Sequence, residues 1–176
     1  NTIALFDGVR RDVALLSLAS YFAELTEAVT QEEVAAPEIV SLLLNGLYAL
    51  ENLPRPPALI KAAFELRLMC LAGYEPLADG CAYCGAEEPE EPRLDVQQGV
   101  LHCAKCGVRG QGLSMPLCAG SLAGLRHAIY GDPKRLYAFT LGDEALGRLS
   151  DAAEAFVLTQ MERGFRTLDY YKSVKI

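Results

Sequence analysis

Two short cysteine knuckles constrain this chain more than any other feature. Cys81-Ala-Tyr-Cys84-Gly and Cys103-Ala-Lys-Cys106-Gly are both Cys-x-x-Cys-Gly, with 18 residues between them. Each makes a tight turn that aims two sulfurs at one point, and the following glycine lets the backbone fold closely around it. Four thiolates in this spacing suit a tetrahedral zinc shell with no position left for water, so a single structural zinc ion is expected on Cys81, Cys84, Cys103 and Cys106. Such an ion supplies folding energy to a segment with little apolar content. Redox pairs or disulfides are the competing reading. A redox Cys-x-x-Cys wants a strand–helix setting, which neither knuckle has. His102 reads as a loop neighbour, because four cysteines already fill a shell. Cys70 and Cys118 read as small core residues.

Helical periodicity flanks this stretch on both sides. Leu15, Leu18, Phe22, Leu25 and Val29 predict an amphipathic helix over 12–29. Pro37 opens a second, with Ile39, Leu42, Leu43, Leu47 and Leu50 as its stripe. A third covers about 58–72, with Gly73 as its C-terminal cap. Gln97-Gln98-Gly99 reads as a hairpin turn between two short strands. Helices resume near residue 118, stop at Gly131, restart at Asp132-Pro133 and end in a long helix over about 143–168. The expected fold is therefore all-α: a bundle of about five or six helices carrying a small four-cysteine, zinc ribbon-like insertion. Residues 1–73 and 117–176 form one bundle, and 74–116 form the insertion.

Charge and motifs narrow the function. The net charge is -7, and the imbalance is uneven: residues 1–116 stand at -8 and residues 117–176 at +1. The C-terminal run interleaves Arg163, Arg166, Lys172 and Lys175 with Phe165, Tyr170 and Tyr171. Cations of this kind neutralise phosphates while rings stack on bases. The same run also reads as a helix end, where the dipole favours cations and the rings pack inward. The residues alone leave both readings open. No phosphate loop, dinucleotide fingerprint or nucleophile–base pair is present, so no enzyme is expected. His127 reads as a surface or interface histidine. No stretch is long and apolar enough for a membrane helix, and no secretory signal pattern opens the chain. It begins at Asn1 rather than methionine, and its natural start is expected upstream.

Several of these residues carry a family resemblance. Phe64-Glu65-Leu66-Arg67-Leu68-Met69, then Ala72-Gly73-Tyr74-Glu75-Pro76, then the first knuckle, resemble the C-terminal domain of the bacterial RecO family. Tyr21 to Leu25, Gly99 to Cys106 and Lys172-Ser173-Val174 fit the same pattern, so the match spans essentially the whole chain. The resemblance implies a non-catalytic, cytoplasmic, nucleoid-associated mediator of DNA repair and recombination. It would anneal strands and, with RecR, load the RecA recombinase. It would also bind the acidic, apolar tail of single-strand-binding protein. Lys61 and Arg67, on the third helix, are the candidates for that tail. The family's N-terminal OB-fold is not found in these residues, so single-stranded DNA is expected to bind weakly. The alternative is a zinc-stabilised scaffold with no direct DNA role.

Overall fold

The computed structural model describes residues 5–107 and 112–175. Among them are α1 (Asp7–Arg10), α2 (Val13–Val29), α3 (Pro37–Asn52), α4 (Pro57–Leu71), α5 (Ala119–Tyr130), α6 (Asp143–Met161) and α7 (Arg166–Val174). Six of these helices have nine residues or more, and the fold is predominantly helical as expected. A sheet of three short strands lies between α4 and α5: β1 (Arg93–Asp95), β2 (Val100–His102) and β3 (Ser114–Pro116).

The helices start where local chemistry allows. Asp12 accepts a hydrogen bond from the Leu15 amide at 3.0 Å and so caps α2. Prolines at the first positions of α3 and α4 forgo donors that have no partner there. α4 is the central helix. Leu59 to Leu66, Leu68 and Met69 are all buried, which is why its apolar pattern covers more than one face. It packs on α3, α5 and α6, and α2 lies over α7. Phe22 of α2 stacks on Phe64 of α4 with ring centres 3.9 Å apart. Gly46 of α3 makes room for that stack: a Cβ there would sit 3.0 Å from Phe64 and 3.3 Å from Phe22.

The strands are antiparallel in the order β2–β1–β3. The predicted hairpin is present. Asp95 closes it, taking the Gln97 and Gln98 amides on one carboxylate oxygen at 3.0 and 2.9 Å, and Gly99 turns the chain at φ +68°. Leu94, Val96 and Leu101 are buried in the same apolar core as the helices.

Two expectations change, and one element is new. The helix predicted over 143–168 breaks after Met161, because Glu162 adopts a left-handed conformation (φ 53°) and the chain turns back as α7. The restart at Asp132-Pro133 is a single tight turn, Pro133–Arg135, capped by the Asp132 side chain on the Lys134 amide. β3 gave no period in sequence.

Candidate metal centre and cation-rimmed cavity

The two knuckles meet. The Sγ atoms of Cys81, Cys84, Cys103 and Cys106 all lie within 4.8 Å of one another. Cys84 and Cys103 stand 3.6 Å apart, close to the roughly 3.8 Å edge of a tetrahedron with metal–sulfur bonds of about 2.3 Å. The four sulfurs fit one metal ion of zinc's size. Their electrostatics fit a cation too. Burial raises the Cys81 thiol, but the N–H groups of Cys84, Cys103 and Tyr83 outweigh it and hold the thiol down at about 6. Burial and the neighbouring Cys84 and Cys81 sulfurs push Cys103 up to about 12. Four thiols this close resist ionising together unless a positive charge sits among them.

The surroundings hold the knuckles in place. The Ala82 amide donates to the Leu101 carbonyl at 2.8 Å, tying the first knuckle to β2. Gly85 uses a positive φ of 75°. Gly107 is needed differently, since the His102 ring fills the space a Cβ would take. His102 itself is no loop residue. It ends β2, is buried, and sets its two ring nitrogens 2.8 Å from the Cys103 carbonyl and 2.8 Å from the Ser114 hydroxyl. Both nitrogens are thereby engaged between the second knuckle and β3. Arg126 of α5 is a further clamp. It donates to the Ala78 and Glu87 carbonyls and pairs with Glu88 at 2.6 Å, so it fastens the acidic loop to the bundle. Nothing in its local sequence marks that role.

The partner-tail candidates diverge. Lys61 does not rim a groove. Only 3 % exposed, its ammonium lies 3.0 Å from Glu65 and 3.1 Å from Glu154. Tyr21 donates to Glu65 at 2.6 Å, and Lys172 reaches Glu154 at 2.8 Å. This is a buried ionic network joining α2, α4, α6 and α7, and it explains why a lysine sits inside. Arg67 does line a cavity, of about 380 Å³, with Leu42, Leu71, Pro133, Leu136 and Tyr137. Its guanidinium donates to the Gly131 carbonyl at 2.6 Å. Its Nε and the Tyr137 hydroxyl are buried without any partner. An adjoining hollow, sharing Tyr137, is lined by Arg55, Lys134 and Arg135. Sequence reading missed these three cations, because they come from two distant segments.

The C-terminal run is partly committed. Arg163 pairs with Glu24 at 3.3 Å and lies over the Phe165 ring. Lys172 is held by Glu154. Phe165 and Tyr171 are buried, which matches the helix-end reading for those rings. Arg166, Lys175 and Tyr170 remain exposed. His127 faces the Arg135 carbonyl at 2.8 Å.

Known proteins place this architecture. The family model described as "Recombination protein O C terminal" matches residues 10–169. The chain belongs to that recombination protein O family. Among its relatives is the "DNA repair protein RecO" of Acetivibrio thermocellus, 24 % identical over 174 residues, which are 99 % of this chain and 69 % of that protein. The protein of the same name from Myxococcus xanthus is 30 % identical over 173 residues, 98 % of this chain and 68 % of that one. The Symbiobacterium thermophilum protein stands at 26 % over 173 residues, 97 % and 68 %. The relatives of this RecO-family chain are thus proteins named for DNA repair, and none of its described helices is long and apolar enough to cross a membrane.

Proposed function

We propose that this chain is the partner-binding part of a RecO-like mediator of DNA repair and recombination. It works by binding, without bond chemistry, in the cytoplasm beside the nucleoid. One structural zinc ion on Cys81, Cys84, Cys103 and Cys106 fastens the 74–116 insertion to a bundle made by 1–73 and 117–176. The partners are RecR, the tail of single-strand-binding protein and single-stranded DNA, and the outcome is strand annealing and loading of RecA.

The observation that supports this reading best is the Arg67 cavity. Its walls are largely apolar, the Arg67 side chain lines it, and Arg55, Lys134 and Arg135 stand alongside. An acidic peptide with an apolar anchor satisfies all three features at once. Its side chain would bury against Leu42 and Leu71, and its carboxylates would face Arg67 and the neighbouring cations. Glu38 on the rim opposes this charge and would restrict where carboxylates sit.

The test is anisotropy of a labelled single-strand-binding-protein tail peptide on the zinc-loaded chain, at low and moderate salt. Arg67→Ala is expected to weaken binding about tenfold or more, equal to roughly 1.4 kcal/mol. Lys134→Ala with Arg135→Ala should mainly reduce the salt dependence. Unchanged affinity in Arg67→Ala, with the helical signal intact, would remove the cavity from the reading. Direct contact between single-stranded DNA and α7 is the second interaction. Exposed Arg166, Lys175 and Tyr170 favour it, and its affinity should fall steeply with salt.

A further inference from the structure

The Arg67 cavity adjoins two further hollows, and the charges around those two are opposite. The hollow that shares Tyr137 with it, about 250 Å³, is lined by Leu53 and by the cations Arg55, Lys134 and Arg135. The hollow that shares Pro37, Glu38 and Leu71 with it, about 460 Å³, is lined by Val29, Val34 and Ile39. Among the described residues Glu38 is its one charged lining residue, and exposed Glu32 and Glu33 lie in the same loop between its lining residues Gln31 and Val34. The three hollows follow one another along α3, from Glu38 in its first turn to Leu53 just past its end. That is about fifteen residues of helix, or roughly 22 Å.

Neither set of charges is cancelled within the chain. Arg55 donates to the Tyr137 carbonyl at 3.1 Å and Arg67 to the Gly131 carbonyl, both neutral acceptors. Among the described residues no carboxylate pairs with Arg55, Arg67, Lys134 or Arg135, and no cation pairs with Glu38. The neighbouring acids are used elsewhere. Asp132 takes the Lys134 amide at 2.9 Å, and Glu51 takes the Gly8 amide at 2.7 Å. The α3 dipole favours a carboxylate at Glu38, in the first helical turn. A segment lying through the cavity therefore meets cations toward one end and a carboxylate toward the other.

We infer that Glu38 is a specificity-determining residue of this site: it restricts the Arg67 cavity to a peptide whose side-chain carboxylates all lie on one side of its apolar anchor. With the anchor among Leu42, Leu71 and Leu136, carboxylates on the Arg55 side meet three cations. Carboxylates on the other side meet Glu38, with Glu32 and Glu33 beyond it. Bringing like charges together costs affinity and rejects the wrong partner. An uncharged continuation of the peptide fits there, over Val29 and Val34. Acidic segments with the anchor at one end of the charge run are accepted, and segments with the anchor inside the run are turned away. This selection rests on the tail-binding reading and adds to it which acidic segments the site takes.

The probes are two labelled synthetic peptides of about seven residues, long enough to span that distance when extended. They have the same composition and blocked ends. One carries its aspartates in a single run beside a phenylalanine, and the other divides them equally between the two sides of it. Both are titrated into the zinc-loaded chain at low salt, beside the tail peptide of the preceding test. The single-run peptide should bind about tenfold more tightly. Glu38→Gln should cut that ratio about threefold by strengthening the divided peptide, the size expected of an exposed charge. Glu38 is exposed and the change keeps its shape, so folding should be kept, and circular dichroism checks it. Loss of a dipole partner alone would move both affinities alike and leave the ratio where it was. Equal binding of the two peptides to the unaltered chain, or a ratio that Glu38→Gln leaves unchanged, would overturn the inference, while binding of the tail peptide would keep the tail-binding reading. Failure of the tail peptide itself to bind would overturn both.

Discussion

The helical body and the cysteine-bearing insertion are held by different forces. In the body, large side chains do most of the work. Phe22 stacks on Phe64, Tyr21 meets Phe165 edge-on at 5.8 Å, and Leu18, Leu25, Leu66 and Phe156 are buried with them. Among its described residues, the insertion sends Ala78, Leu94, Val96 and Leu101 fully into that core. Its strands are three residues each, too short to stand alone. What stands in place of apolar area is the cluster of four cysteines, which could hold a metal ion, and polar clamps reaching out from the body. Arg126 and Tyr130 of α5 hold Ala78, and Gln160 of α6 donates to the Val96 carbonyl at 2.8 Å. The body should therefore survive insults that undo the insertion.

Removing the metal tests that contrast most severely. Treatment with a strong chelator, or Cys81→Ser, is expected to abolish amide-exchange protection across 74–107 and 112–116. Most of the far-ultraviolet helical signal should remain, because the helices keep their own core. Elemental analysis should give one zinc per chain before treatment and none after. Collapse of the helical signal together with the exchange protection would show that the two regions are one cooperative unit.

The converse insult strikes the body and spares the insertion. Lys61→Met leaves Glu65, fully buried, without its cation, and should cost about 3–5 kcal/mol in denaturant unfolding. Lys61→Met with Glu65→Gln keeps an acceptor for Tyr21 and removes the buried charge, so it should recover much of that loss. Zinc content should not change in either. The network also sets a pH window. Burial disfavours the Lys61 charge, but Glu65 and Glu154 outweigh it and raise the group above 10.5, so its stabilisation is complete below 10.5 and fades as pH rises through the raised value. Burial raises Glu154, but Lys61 and Lys172 outweigh it and hold the carboxyl below 4.5. Its contribution is complete above 4.5 and fades as pH falls through the lowered value. Thermal melts of Glu154→Gln should lose the acid-side dependence. A melt profile identical to that of the unaltered chain would remove Glu154 from the network's stabilising part.

The two regions were also unequally legible in the sequence. The knuckles could be read because their chemistry is local: two cysteines three residues apart and a glycine next to them. Helices α2 to α6 could be read because apolar spacing is local too. The break at Glu162 stayed hidden, since Phe165 and Leu168 continue a helical spacing and only the return of α7 onto α2 reverses the chain. Lys61 reads in sequence as a candidate for the partner tail, and its burial leaves no local sign. Its second carboxylate, Glu154, is 93 residues away and leaves no local trace. The Arg67 cavity was hidden for the same reason. Its walls come from α3, α4 and the 133–137 turn, so one of its residues could be named but not its shape.

The smallest test sits where the two regions touch. Gly99 turns the hairpin at φ +68° over the ring of Phe156. A Cβ there would lie 3.6 Å from that ring, an ordinary contact, so Gly99→Ala pays only for the left-handed backbone, about 1–2 kcal/mol. Gly46→Ala in the body is opposite in kind. Its helical backbone gains about 1 kcal/mol, while a Cβ 3.0 Å from Phe64 forces the aromatic stack apart, at about 1–3 kcal/mol. The net change should be a modest loss of similar size. The readout separates them. Gly99→Ala should speed amide exchange at Leu77 and Leu101, whose hydrogen bonds bracket the turn, and leave the Phe22–Phe64 region protected. Gly46→Ala should do the reverse. Loss of protection in both places from either change would mean that strain crosses the Phe156 contact, and the insertion would then be part of the body's cooperative core.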